Sequence, residues 1–352
     1  MNIAVYISGH GFGHLAQMAP VLNRMHQIEP NCRFLIRCSL PPAEIAARLD
    51  FEFEIERTAV DVGVIQKSAI EEEREASITR MQDWVRQMDK QIDQEIELLR
   101  QFDAALVLSD ISPLAFPAAR GLGVPGIGLA TLDWHSIYAH WLNSDDLIIQ
   151  QLAEAYGACD LLLTPPMSMN MPVFSVQRKI SLIAAHPVDM PNPVAGDQRK
   201  KVLVLFGGCG NPPYDREALE DMDDWLFLIP NAGKNVPENV MSISFGADMR
   251  PVDMMPFVDV VVCKPGYGVL SECWNTSTPI AWVERPDFPE FPMLKTWLET
   301  SMPAAGMSRS DFRQGRWQQV LEKAMNNPRC FPVIFGDGAD EAAGIILSYI
   351  SR

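Results

Sequence analysis

Short apolar runs alternate along this chain with stretches whose apolar residues recur every three or four positions. Residues 3–7, 33–37, 104–108, 125–129 and 161–164 read as strands, and 51–55 alternates as a strand does. Between them Leu15, Met18, Leu22 and Met25 mark a helix. Ile78, Met81, Val85, Met88, Ile92, Ile96 and Leu99 predict one long amphipathic helix with a charged outer face. A further helix runs from Ala115 to Arg120, stopped by Gly121 and Gly123. The pattern then starts again. Residues 201–206, 225–229, 258–262 and 279–283 read as strands, Ser310-Asp311 caps a helix to about Met325, and 339–350 forms the last helix. Alternating strands and helices predict an α/β fold with mostly parallel sheets. Residues 186–199 hold three prolines, a glycine and charges, and read as a linker. The expected organisation is a Rossmann-like domain over 1–185, the linker 186–199, a second Rossmann-like domain over 200–335, and a helix at 336–352 packing back on the first domain. Two such domains imply a cleft between them.

The totals agree with this division. The 352 residues suit two domains, at roughly 150 residues each. Apolar residues at 47% and charged residues at 21% are ordinary for a soluble globular protein. The formal charge of −16 argues against nucleic acid as a partner and against docking on an anionic membrane. The cysteines, Cys32, Cys38, Cys159, Cys209, Cys263, Cys273 and Cys330, are scattered without a C-x-x-C pair, so neither a disulfide framework nor a zinc site is expected. No signal peptide and no membrane-length apolar run is visible, so a cytoplasmic location is expected.

The stretch Ser8-Gly9-His10-Gly11-Phe12-Gly13-His14 joins the first strand to the first helix. Open α/β sheets bind ligands at such strand ends. A dinucleotide fingerprint is weakened here, because the third glycine comes one position early and no acid closes the second strand. Arg37 facing a phosphate of NADP is what remains of that reading. The segment from Asp133 to Trp141 is aromatic and polar at once, and reads either as a sugar-binding wall or as a surface helix pinned by its tryptophans.

These residues resemble a family. Val261-Val262-Cys263-Lys264, Gly266 and Ser271-Glu272 match the donor half of GT-B glycosyltransferases, near the type that glycosylates the lipid-linked peptidoglycan precursor. Closer is the glycosyltransferase-like N-terminal region of plant-type arabinokinases. That likeness takes in residues 9–14, Asp61-x-Gly63-x-x-Gln66, Ser109-Asp110-x-x-Pro113, Trp134, Ile137-Tyr138 and Phe206-Gly207-Gly208. It continues through Lys264-x-Gly266-Tyr267-Gly268, Arg285-x-Asp287 and Gly315-x-Trp317. The chain departs from the peptidoglycan enzymes at Cys209, where they have serine, and at Asp287-Phe288-Pro289-Glu290, where they have paired glutamines. Kinase activity is not expected, since the likeness does not extend to a sugar-kinase domain.

The resemblance implies a GT-B-like fold with two Rossmann-like domains facing a central cleft. It implies a hexosyl or N-acetylhexosaminyl transferase taking a nucleotide sugar, a UDP-sugar, as donor. Glycine loops and a helix N-terminus hold a diphosphate without metal. Gly207, Gly208, Gly266, Tyr267 and Gly268 would do so, with Lys264 or Arg285 adding charge and Ser271, Asp287 and Glu290 completing the donor site. Glu272 would accept hydrogen bonds from the ribose diol. On the first domain Gly11, Phe12, Gly13, Asp61, Gln66, Trp134 and His135 would form the acceptor site. His14 would be the base, since imidazole titrates near neutrality, and Asp110 would orient it. The alternative for Asp110 is a helix N-cap, and His10 and His135 are spare bases. No cofactor or metal is expected, since backbone N–H groups of glycine loops would hold the diphosphate. Hydrolysis of the nucleotide sugar, or binding without turnover, are the alternatives on the same frame.

Overall fold

The computed structural model describes residues 1–207 and 213–350. Gly208 and Cys209 lie outside the described residues. The chain divides into two compact units. Unit 1 comprises Met1–Ile65, Glu73–Ile183 and Phe335–Arg352, and unit 2 comprises Gln66–Glu72 and Ala184–Ile334.

In chain order the first strands are β1 (Asn2–Ile7), β2 (Arg33–Cys38), β3 (Glu54–Arg57), β4 (Gln66–Ser68), β5 (Glu71–Glu72), β6 (Leu106–Asp110), β7 (Gly126–Leu129), β8 (Leu161–Thr164) and β9 (Gln177–Lys179). They are followed by β10 (Lys200–Leu205), β11 (Trp225–Pro230), β12 (Val240–Ile243), β13 (Val260–Cys263), β14 (Ile280–Val283) and β15 (Ala304–Met307).

Unit 1 carries a parallel sheet in the order β3-β2-β1-β6-β7-β8-β9. Its central strands are apolar on both faces because both faces are covered. Ile3, Val5 and Ile7 pack under the helix Phe12–Ile28 and the terminal helix Gly338–Ile350, through Leu15, Met18, Leu22, Ala342 and Ile346. Ala4 and Tyr6 face Leu99, Ala115, Ala118 and Ala119 on the other side. The edge strands β3 and β9 are polar and largely exposed, which blunts edge-to-edge pairing.

Unit 2 carries a second parallel sheet, β12-β11-β10-β13-β14-β15. Numbered within the unit this is the doubly wound order 3-2-1-4-5-6. Val202, Val204, Val260 and Val262 pack with Phe312, Trp317 and Leu321. Ala69 and Ile70, from the antiparallel β4–β5 hairpin, join the same core. Residues 66–72 were expected inside the first domain; the structure places them in unit 2, because their two apolar residues are buried there. In each sheet the strand order reverses once, between β1 and β6 in unit 1 and between β10 and β13 in unit 2.

Two expected helices are broken. The long helix over 78–99 is two, Arg74–Val85 and Met88–Gln101. The Gln87 amide donates to Trp84 O, a tightened turn that no glycine or proline announces. The two halves bury different partners, Met81, Trp84 and Val85 in the first, and Met88, Glu95 and Leu99 in the second. The helix expected to run to Met325 is also two, Arg309–Arg313, capped by Ser308 rather than Ser310, and Gln318–Met325. The turn between them lets Trp317 stack flat on Phe312 at 5.4 Å. Among the described residues no helix is long and apolar enough to cross a membrane.

Candidate functional site

The reversal point of unit 1 gathers the histidine loop. Gly11, in an extended conformation, is the N-cap of the helix Phe12–Ile28, so His14 falls in its first turn. β6 pairs with β1 so that Asp110 lies opposite Ile7, and the Ser8 amide donates to Asp110 O at 2.7 Å. His14 Nδ1 lies 3.0 Å from Asp110 Oδ1. The side chains are 12% and 2% exposed. Asp110 is not a helix N-cap, since the following helix starts at Ala115 with Leu114 before it. Burial pushes the Asp110 carboxyl above its usual range, and His14 pulls it partly back. Asp110 Oδ2 is buried with no hydrogen-bond partner among the described residues.

A pinned loop stands beside this pair. Trp134, at the start of the helix Trp134–Tyr138, is fully buried, as a helix pinned by its tryptophan requires. Its Nε1–H donates to Asp61 Oδ2 at 3.0 Å. Burial raises the Asp61 carboxyl, against hydrogen bonds from Ser8 and Trp134 that lower it. Asp61 therefore holds the start of this helix in place. Ser112 Oγ donates to Val60 O at 2.6 Å and Tyr138 OH to Gly63 O at 2.8 Å. The Val64 amide donates to His10 Nδ1 at 3.3 Å, which makes that nitrogen an acceptor. Gly63 sits at φ +56°, and a Cβ there would lie 2.6 Å from His10 Nδ1, so the position needs glycine twice over. The Trp134 ring is 5.2 Å from His10 and 6.3 Å from His14. His135, on the same short helix, is half-buried; burial lowers its imidazole, and its Nδ1 has no hydrogen-bond partner among the described residues. The Phe12 ring packs on the core with the Arg48 guanidinium 5.5 Å from its centroid. Gln66 belongs to unit 2.

Arg37 has a different partner from the one weighed for it. Its Nε and Nη2 both bind Glu95, with Nε at 3.1 Å from Oε2, and Tyr6 OH donates to the same oxygen at 2.7 Å. A buried guanidinium so occupied is not a phosphate ligand. The mate, Glu95, was hidden in the charged face of a helix.

The reversal point of unit 2 gathers the glycine loops. β10 ends at Leu205, two residues before Gly207, which has φ +66°, and β13 ends at Cys263, next to Lys264. A Cβ on Gly207 would lie 3.7 Å from Lys264 Cε. Gly266 is the N-cap of the helix Tyr267–Thr276, which places Tyr267 and Gly268 in its first turn and Glu272 further along it. Ser271 is buried, and its Oγ donates to Gly268 O at 3.0 Å, so it is engaged inside the helix. Lys264 Nζ donates to Gln66 Oε1 at 3.4 Å. Arg285, after β14, is paired with Glu72 of the hairpin and lies 4.4 Å from the Phe288 centroid. Asp287 pairs with Arg309 at 2.8 Å, and the buried Glu290 precedes the helix Phe291–Ser301. Among the described residues no three His, Cys, Asp or Glu side chains cluster as metal ligands.

Two parallel doubly wound sheets, each with a polar group at its reversal point, give the chain a fold like that of the GT-B glycosyltransferases. UGT89C1 of Arabidopsis thaliana, complexed with quercetin, has a TM-score of 0.65 over 99% of each chain at 12% identity. The glycosyltransferase of kitacinnamycin has a TM-score of 0.63 over 99% of this chain and 94% of its own, at 14% identity. VinC, in complex with dTDP, has 0.58 over 100% and 96%, at 15% identity. In sequence the chain is similar to the L-arabinokinase of Arabidopsis thaliana, 26% identical over 347 residues. The match covers 93% of this chain and 32% of that protein, so the chain spans about a third of the relative's length. No protein-family model matches.

Proposed function

We propose that this protein is a metal-independent glycosyltransferase that moves a hexosyl or N-acetylhexosaminyl unit from a nucleotide sugar, a UDP-sugar, to an acceptor hydroxyl. The observation that carries the reading is the 3.0 Å contact between His14 Nδ1 and Asp110 Oδ1 at a sheet reversal point. Asp110 fixes the imidazole so that Nε2 takes the acceptor proton, and it stabilises the imidazolium that results. The acceptor oxygen bonds to the anomeric carbon as the bond from that carbon to the diphosphate breaks, and the nucleoside diphosphate leaves. Negative charge grows on the leaving group. Backbone N–H groups at Gly207 and at the start of the helix Tyr267–Thr276, together with Lys264, offset it, so no metal is required. Glu272 binds the ribose hydroxyls, and the buried Trp134 backs His10 and His14 from behind.

A thermal-shift screen against UDP, dTDP and their sugars finds the donor, and product analysis with that donor and a panel of acceptors tests transfer. Sugar released without any acceptor would make the protein a hydrolase. Binding with no product under any condition would make it a binding module.

A further inference from the structure

The short hairpin β4–β5 is enclosed by residues before and after it that belong to unit 1, yet its own side chains are held by unit 2 at three places. Glu72 and Arg285 form an ion pair in which both side chains are almost fully buried. Glu71 pairs with Arg313 at 2.7 Å. Gln66 Oε1 accepts from Lys264 Nζ at 3.4 Å. Ala69 and Ile70 are buried in the core between these contacts. Such an arrangement fixes the hairpin as a rigid part of unit 2.

The two cations named for the diphosphate thus stand in different surroundings. The Arg285 guanidinium binds a buried carboxylate through Nε and Nη2 and lies against Phe288. Its charge is balanced by Glu72, and withdrawing it would leave that carboxylate buried beside an incoming anion. Lys264 follows β13, next to Gly207 and just before the helix Tyr267–Thr276, and its Nζ donates to Gln66 Oε1.

We propose that the Gln66–Glu72 hairpin is a positioning element of the nucleoside-diphosphate site on unit 2: the Glu72–Arg285 pair anchors it, and Gln66 orients the Lys264 ammonium toward the phosphates. This rests on the reading that the nucleotide binds unit 2. Arg285 then acts on the ligand through Glu72, and not by touching phosphate.

The test uses the full chain and compares UDP, which presents phosphates, with uridine, which does not. Gln66→Ala should weaken UDP about threefold to tenfold, the range of one lost hydrogen bond, and leave uridine affinity unchanged. A merely structural lesion would weaken both alike. Arg285→Gln should weaken UDP, and adding Glu72→Gln should restore it to near wild type, because the stranded carboxylate is gone and two neutral amides can still hydrogen-bond to anchor the hairpin. Should Arg285→Gln fail to fold, the double variant is read directly against wild type. A double variant that binds UDP as poorly as Arg285→Gln, or tenfold below wild type, would show phosphate contact by Arg285 and overturn the proposal. An unchanged UDP-to-uridine ratio in Gln66→Ala, with wild type binding UDP, overturns the hairpin's role alone. A wild type that binds neither UDP nor dTDP overturns the functional reading and this inference with it.

Discussion

His14 and Asp110 are 96 positions apart in sequence and 3.0 Å apart in space, one in the first turn of the helix after β1 and the other at the end of β6. The parallel pairing of β1 with β6, which sets Ile7 opposite Asp110, is what brings them together. As a base and its orienting carboxylate they should act as a unit. His14→Ala should lower turnover about 10²–10⁴-fold while UDP affinity stays nearly unchanged, since the donor is assigned to unit 2. Asp110→Asn should lower turnover too, and the double variant should fall far short of the product of the two effects. A fully active His14→Ala protein would refute the assignment.

Metal removal gives a second expectation. Transfer should proceed at the same rate in EDTA, because N–H groups and Lys264 take the leaving-group charge. Activity that disappears in EDTA and returns with magnesium or manganese counts against this account.

The strand pattern, the loops at strand ends and the glycine-rich turn before the helix Tyr267–Thr276 were legible because each is a local signal: apolar runs, glycine, and helical spacing. The resemblance added the residues that lie far apart in sequence. What stayed hidden was long-range pairing. Gln66-Lys67-Ser68 is polar throughout, and only the burial of Ala69 and Ile70 explains why it leaves unit 1. Glu95 looks like one more charge on an outer helix face until Arg37 and Tyr6 meet it. The break at Arg86–Gln87 has no local mark, because it follows from what each half-helix buries.

That buried triad has a stability signature. Glu95→Ala strands the Arg37 guanidinium and should cost about 3–5 kcal/mol in urea unfolding. Replacing both partners, as Arg37→Met with Glu95→Leu, should recover most of the loss. If the single and double variants are equally destabilised, the pair is not what holds this region.

Asp133 should make stability depend on pH. Burial pushes its carboxyl from 3.8 to about 6, although it caps the helix Trp134–Tyr138 through the Ser136 amide. Between those values the unfolded chain releases a proton that the folded chain keeps, so stability from this group falls as pH rises from 4 to 6 and levels off above. The full shift corresponds to about 3 kcal/mol. Asp133→Asn retains the cap and cannot titrate. The difference in unfolding free energy between wild type and variant, measured from pH 4 to pH 7, should therefore decline and then flatten. A difference that is constant across the range would show that Asp133 does not titrate there.

The chain passes between the units at 65/66, 72/73, 183/184 and 334/335. Neither unit can therefore be excised by a single cut. A fragment starting at Lys200 would lack Ala69 and Ile70 from its interior and would leave the Arg285 guanidinium without its carboxylate. A fragment ending at Ile183 would lose the helix Gly338–Ile350 from over the helix Phe12–Ile28, exposing Leu15, Met18 and Leu22. The two halves are not interchangeable modules. Swapping donor halves with another protein of this fold requires carrying the heptapeptide Gln66–Glu72 along with the C-terminal segment, although more than a hundred residues of the other half lie between them in the chain.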